Sequence, residues 1–278
     1  MKRSGKEDNI PKRNQTAKSK KYNSGRLDII PLSSIRNSEG RQYRLRLQVF
    51  LSHSGMSSRR GAMALIQEGS VTVNGQKVQE PSFKVDPQKD KVCVKGQFVQ
   101  QKFFEYILLN KPRGYVTTKS DRFADKMVYD LLLPEHRNLP AVGRLDKDTE
   151  GLLLFTNDGD LAYRLTHPKF NVLKTYFVIV QGRLDPEVIS KIERGMLLDG
   201  KKTAPAKIKH VQYQARQTQL YLTIHEGRKR QIRLMFAQLL HKVDYLKRLT
   251  QGPLSLGTLK TGCWRQLNQK EMETLKKV

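Results

Sequence analysis

Acidic residues are scarce in this chain: 26 Asp plus Glu stand against 52 Lys plus Arg in 278 residues, leaving a net charge of +26. Such a field repels cationic partners and draws in polyanions, nucleic acid foremost. Cysteine is nearly missing too. Cys93 and Cys263 are the only two, and without a CxxC pair they supply neither a four-ligand zinc site nor a disulfide framework, so a reducing, cytoplasmic setting is expected. No apolar run approaches the roughly 18 residues that span a bilayer, and no basic amphipathic helix shows a Trp/Phe/Leu face, so no membrane partner is expected. The first 26 residues hold only Met1, Ile10 and Tyr22 as large apolar residues, which leaves no secretory h-region. What is present, 37% hydrophobic residues, suits one large domain with a small one beside it.

Residues 1–42 mix Lys, Arg, Asn, Ser and Gly without apolar periodicity, and read as a disordered basic arm: a solubilising tail or a tether along RNA phosphates. From Arg46 the pattern changes. Leu47, Phe50 and Leu51 lie at helical spacing, Gly55 stops that helix, and Ser57 or Ser58 can cap a second one carrying Ala62, Leu65 and Ile66, ended by Gly69. Val71, Val73, Asn74-Gly75 and Val78 then spell a hairpin. Arg59 and Arg60 fall in the first turn of the second helix, where the macrodipole disfavours positive charge. Either a phosphate sits there, or both guanidiniums are simply solvated. Val92 and Val94 read as the last strand of this unit, with Gln97 to Lys102 as linker, giving domains at 43–102 and 103–278.

The second domain opens with an apolar strand, Phe104 to Leu109, and a turn at Pro112–Gly114 at the edge of a sheet. The stretch from Ala141 to Phe170 is the most informative. A polar loop, Arg144 to Glu150, precedes a buried strand, Leu152 to Phe155, then a turn at Asn157–Gly159 and a helix that Asp158 or Asp160 begins and His167-Pro168 ends. Asp146 thus sits in a connection between ordered elements, where catalytic groups tend to be held, although by themselves the charges of Arg144, Asp146, Lys147 and Asp148 read more readily as a surface run. Later, Leu220, Leu222 and Ile224 alternate as a strand. Glu226 to Arg230 bends into a helix whose apolar stripe at 232, 235, 236, 239, 240 and 243 is core, with Arg233 flanking it. His167, before a proline at a helix end, reads as a structural cap and not as a base.

Two resemblances follow from these residues. The segment RLQVFLSHSGMSSRRGAMALIQEGSVTVNGQKV resembles the S4 RNA-binding domain, which implies an RNA-facing surface at Ser57, Arg59, Arg60 and Asn74; Gly61 departs from the acidic residue common there. Gly143-Arg-Leu-Asp146, Thr149, Gly151-Leu-Leu-Leu, Thr156-Asn-Asp-Gly, His167-Pro and Lys174-Thr-Tyr176 resemble the signature of S4-bearing bacterial ribosomal RNA pseudouridine synthases. EGRKRQIRLMFAQLL and GPLSLGTLKTGCWRQL resemble that family's closing motifs, with Leu234 standing where a second arginine is common.

The resemblance implies an α+β fold: a small S4 unit, an αα-hairpin plus β-hairpin, ahead of a mixed, largely antiparallel sheet with flanking helices. It implies conversion of uridine to its C-glycoside isomer, which needs a carboxylate near the sugar and no cofactor or metal. Asp146 is then the catalytic carboxylate, paired with Arg233, and Tyr176 packs on the target base. Because the nucleotide must leave its stack, Arg144 fills the vacated space, while Lys111, Arg228 and Lys229 line the groove. The expected partner is ribosomal RNA, the 23S over the 16S molecule, or a ribosome assembly intermediate, bound by a monomer. Two other readings stay open: an inactive S4-type assembly factor, and a nuclease with Asp146, Asp148, Asp158 and Asp160 around Mg²⁺.

Overall fold

The computed structural model describes residues 44–278 apart from 88, 101–103 and 276. The expected basic arm and the end of the expected linker lie outside the described residues.

Helices α1 (Leu47–His53) and α2 (Arg59–Gln67) pack Leu47, Phe50, Leu51, Ala62 and Ile66 into one buried cluster. Of the two candidate caps it is Ser58 whose hydroxyl accepts the Gly61 N–H, at 3.1 Å, and α2 starts at Arg59 as expected. The helices lie over a four-stranded sheet ordered β2 (Gln76–Lys77), β1 (Val71–Val73), β3 (Val92–Val94) and β4 (Gln97–Phe98). Asn74 and Gly75 take φ of 51° and 82°, the pair of left-handed residues that a tight two-residue hairpin needs. Lys95 and Gly96 repeat that geometry at φ of 49° and 79°. Gln97 and Phe98 are therefore a return strand and not the start of a linker. The sequence hid this because Lys-Gly is a weaker hairpin signal than Asn-Gly.

The large domain is built on one sheet, ordered β8 (Lys207–Gln214), β9 (Gln217–Ile224), β7 (Lys174–Gln181), β10 (Val243–Gln251), β6 (Glu150–Thr156), β5 (Tyr106–Lys111) and β12 (Trp264–Gln266), with β11 (Leu254–Ser255) on β10. Every pairing is antiparallel except β6 with β10. The pleat sorts β5 and β6 into two faces. Leu108, Leu152 and Leu154 meet Leu161 and Leu165 of α3 (Gly159–Thr166) and Leu275 of α6 (Gln269–Leu275); Ile107, Leu109, Leu153 and Phe155 meet Val128, Tyr129 and Leu145. Residues covered on both faces explain why β6 reads as an unbroken apolar run. Farther along, α4 (Pro186–Glu193) and α5 (Gln231–Gln238) cover β7, β9 and β10 through Ile192, Met235 and Phe236.

The C-terminal β12 pairs along the outer side of β5 and so becomes the edge strand there. One expectation needs correction. The apolar stripe of α5 stops early: Leu240 turns to φ 63° and is 95% exposed, the His241 N–H returns to the Phe236 carbonyl, and Val243 begins β10. Helical spacing ran on by coincidence across a left-handed helix end.

Candidate active site

The parallel junction of β6 and β10 fixes where the site lies. Gly151 faces Arg248 in this register at φ +117°, and a Cβ there would come within 2.2 Å of the Arg248 carbonyl oxygen. Only glycine lets the two backbones approach so closely, and the loop from Gly143 to Thr149 is thereby delivered over the middle of the sheet.

That loop is fastened carbonyl by carbonyl. The Thr117 hydroxyl donates to Leu145 O at 2.8 Å, the Thr149 N–H to Asp146 O at 3.0 Å and the Gly114 N–H to Lys147 O at 2.8 Å. Arg233 Nη2 donates to Asp148 O at 2.9 Å. Lys111 Nζ reaches Asp146 O, Lys147 O and Thr149 O at 3.1, 3.3 and 2.8 Å, and Pro112 O at 3.1 Å. Lys111 is fully buried, so it does not line a groove; it is the pin that holds the loop carrying Asp146. The expectation failed because a lysine in a Lys-Pro turn reads as exposed until the loop folds over it.

Burial pushes the Lys111 ammonium down to about 8 from its ordinary 10.5, against the pull of Asp146, Asp148 and Glu150. Between these two values the unfolded chain binds the proton more fully than the folded one, so stability rises with pH across that window. Relative to Lys111→Met, the parent is expected to gain stability steadily from pH 8 to 10 in urea unfolding. A pH-independent difference between the two would sink this assignment.

Arg233 is corrected as well. Its Nη1 donates to Val243 O at 2.9 Å and its Nη2 to Asp148 O, so it ties the loop to the start of β10, and no ion pair joins it to Asp146. Asp148 pairs instead with Arg230 at 3.9 Å. Asn74 ties its turn to the segment ahead of β3: its side-chain amide donates to Asp90 at 2.9 Å and its side-chain carbonyl accepts the Lys91 N–H at 2.8 Å. Arg59 lies 3.7 Å from Asp160, an exposed pair worth at most about 1 kcal/mol, while Arg60 and Ser57 remain at the surface of α2's start. Asp158 caps α3 through the Leu161 N–H and accepts the Tyr106 hydroxyl, so the four aspartates considered for a metal do not converge. Among the described residues no three His, Cys, Asp or Glu side chains gather as a metal site.

A cleft of about 270 Å³ opens between this loop and the sheet. Asp146, Arg144, Tyr176, Arg228 and Lys229 all line it. In the sheet, Tyr176 faces Arg248 across the β7–β10 pairing, and Gln251 faces Lys174, so four polar side chains share the cleft face. The sequence reading missed Lys174, Arg248 and Gln251 as site residues, since each sits in an apolar alternation. Their signal was a polar residue at a core-facing position. Lys174 is buried, donates to Val172 O and His225 O at 3.0 and 2.9 Å, and is held down to about 8 by that burial and by Arg248. Arg248 Nε donates to Leu152 O at 2.8 Å, while its Nη2 and Gln251 Oε1 are buried without partners. The far wall is the Gly227–Arg230 loop. Glu226 accepts the Ala204 N–H and Gln231 Nε2, Gln231 Oε1 accepts the Arg228 N–H, and Arg228 donates to the carbonyls of Lys201 and Lys202. Within this lining Asp146 is the only carboxylate, against Arg144, Lys174, Arg228, Lys229, Arg230 and Arg248.

Comparison with known proteins matches both domains of the chain. Residues 105–238 match the RNA pseudouridylate synthase family, and residues 45–92 match the S4 domain. The chain is 43% identical over 233 residues to ribosomal large subunit pseudouridine synthase B of Bacillus subtilis, covering 83% of this chain and 95% of that one. It is 41% identical over 233 residues to an uncharacterized RNA pseudouridine synthase of Aquifex aeolicus, covering 83% and 93%. A crystal structure of a pseudouridylate synthase, 32% identical, superposes with a TM-score of 0.59 over 83% of this chain and 99% of that one. With an S4 unit ahead of a largely antiparallel catalytic sheet and relatives matched over nearly their whole length, the chain belongs to the RNA pseudouridine synthases, isomerases that rejoin uracil to its ribose through carbon.

Proposed function

We propose that the protein isomerises uridine in ribosomal RNA, the large-subunit RNA over the small, in the cytoplasm, with Asp146 as its catalytic carboxylate. One observation carries this reading: a single carboxylate stands in a cleft lined by six cationic residues. The cations suit a polyanion, and the lone carboxylate suits a reaction at the sugar of one nucleotide. The Bacillus subtilis relative, named for the large subunit, favours that RNA.

Asp146 attacks the flipped nucleotide or removes a proton from it, and Tyr176, nearly buried on the cleft face of β7, packs against the base. Arg144, exposed beside Asp146, fills the space the base leaves, and Lys229 contacts phosphate. Arg228, whose guanidinium is bonded to two backbone carbonyls, shapes the wall and adds positive field. Arg233 acts on the chemistry by holding the Asp148 carbonyl, and so the loop. In the S4 unit, Ser57, Arg59 and Arg60 meet RNA, with phosphate replacing Asp160 on Arg59. The isomerisation itself calls for no redox or metal group.

The test is tritium release from C5-labelled, undermodified ribosomal RNA in the presence of chelator. Release from large-subunit RNA is expected. A requirement for added Mg²⁺ with RNA folding held fixed would overturn the mechanism, release from small-subunit RNA alone would overturn the substrate, and tight binding with no release from naked RNA or partly assembled subunits would favour the assembly-factor reading.

A further inference from the structure

Helix α3 carries an aromatic face that the fold does not use. Its buried side is Leu161 and Leu165, four apart, which face the core. Tyr163 and His167, also four apart, lie on another face at the surface, where a helix ordinarily presents charge. The turn that follows adds Phe170, and the three rings form one cluster: centroids lie 4.9 Å apart for Tyr163 and His167, 5.6 Å for Tyr163 and Phe170, and 6.4 Å for His167 and Phe170. Lys169 Nζ stands 5.0 Å from the Tyr163 ring centre and 4.8 Å from that of Phe170. Scattered exposed apolar residues need no explanation, but Tyr163 at 46% and Phe170 at 38% exposure are in ring contact and share a cation.

The cluster is tied to the helix end. His167 Nδ1 accepts the Lys169 N–H at 3.3 Å and its own N–H donates to Tyr163 O at 2.9 Å, so the rings sit on a closed helix end and not on a free loop. It is also continuous with the cleft. Thr166, next to His167, lines the cleft and its methyl lies 3.5 Å from the Cβ position of Gly143, the residue before Arg144. In the other direction the chain runs from Phe170 to Lys174 in the cleft floor.

We propose that Tyr163, His167, Phe170 and Lys169 form a stacking platform for unpaired RNA bases flanking the target nucleotide. The inference rests on the reading of this cleft as the site of uridine isomerisation. Rings give base-stacking energy without sequence preference, and an ammonium among them answers the phosphate between two stacked bases. A duplex offers no free base faces, so the platform selects single-stranded RNA or the opened strand beside a flipped nucleotide.

The experiment measures affinities by fluorescence anisotropy for a short labelled oligouridylate and for an RNA duplex of matched charge, over a range of salt concentration. Tyr163→Ala combined with Phe170→Ala is expected to weaken oligouridylate binding about ten-fold or more, leave duplex binding unchanged and leave the salt slope unaltered. Tyr163→Phe, which keeps the ring, retains parental affinity. Lys169→Ala lowers the salt slope by about one ion. Circular dichroism melting confirms that each variant folds, as expected for substitutions on the exposed face. Unchanged oligouridylate affinity, or an equal loss for duplex, overturns the platform and leaves the rings to local packing or a protein partner. The outcome is separable from the proposed function: a parent that binds through these rings but releases no tritium sinks the isomerase reading alone, and a parent that releases tritium with an unimpaired alanine variant sinks the platform alone.

Discussion

Asp146→Asn is expected to abolish tritium release from C5-labelled RNA, by more than about 10³-fold, the scale of loss when an attacking or proton-abstracting group is removed. The substitution preserves the side chain's size while removing its charge and nucleophilicity. What positions residue 146 is its backbone, since Lys111 Nζ and the Thr149 N–H both bind its carbonyl oxygen. The loop therefore keeps its shape in the variant. RNA affinity should change little, and in the direction of tighter binding, because one negative charge leaves a cleft of six cations. Thermal unfolding should match the parent. Substantial release from Asp146→Asn would remove this residue from the chemistry. Loss of release accompanied by loss of folding would show instead that the carboxylate is structural.

Gly151→Ala is expected to be the most destabilising small substitution in the catalytic domain, costing about 3 kcal/mol or more. Two penalties combine. An L-residue at φ +117° carries backbone strain of roughly 1–3 kcal/mol, and a methyl group 2.2 Å from the Arg248 carbonyl and 2.6 Å from its nitrogen forces strands apart at an overpacking cost of about 1–3 kcal/mol. The atoms it meets are backbone, so no side-chain rotation relieves the clash. Activity should fall further than stability alone explains, because β6 starts directly after the fastened loop and Arg248, opposite Gly151, lies in the cleft. Urea unfolding gives the first quantity. Turnover at a temperature where the variant remains folded gives the second, and a loss below about 1 kcal/mol would mean that β6 and β10 have room to separate.

Much of the local architecture was legible in the residues. The apolar pairs of α1 and α2, a serine cap at Ser57 or Ser58, the Asn74-Gly75 turn and the alternation of Leu220, Leu222 and Ile224 each declared themselves, because each depends on neighbours within a few positions. Local pattern misled where a different turn intervened. The apolar spacing of α5 runs on to Val243, although the chain has already passed through a left-handed Leu240, and Lys95-Gly96 closes a hairpin whose second strand has the composition of a linker.

The sequence by itself determined that this is a basic chain with a two-helix, hairpin-bearing unit ahead of an α+β domain, and it located the loop that holds Asp146. Its motif spacing also pointed to the family that the relatives establish. Only the tertiary structure decided what surrounds that loop. Lys111 proved to be a buried pin and Arg233 a backbone clamp, while Lys174, Arg248 and Gln251 emerged as the polar floor of the cleft. The physical reason is one of range. A cap or a tight turn is settled by residues adjacent in the chain, whereas the surroundings of a charged group depend on which distant strands become its neighbours: Lys111 meets carbonyls 35 to 38 positions away, and Arg248 donates across 96.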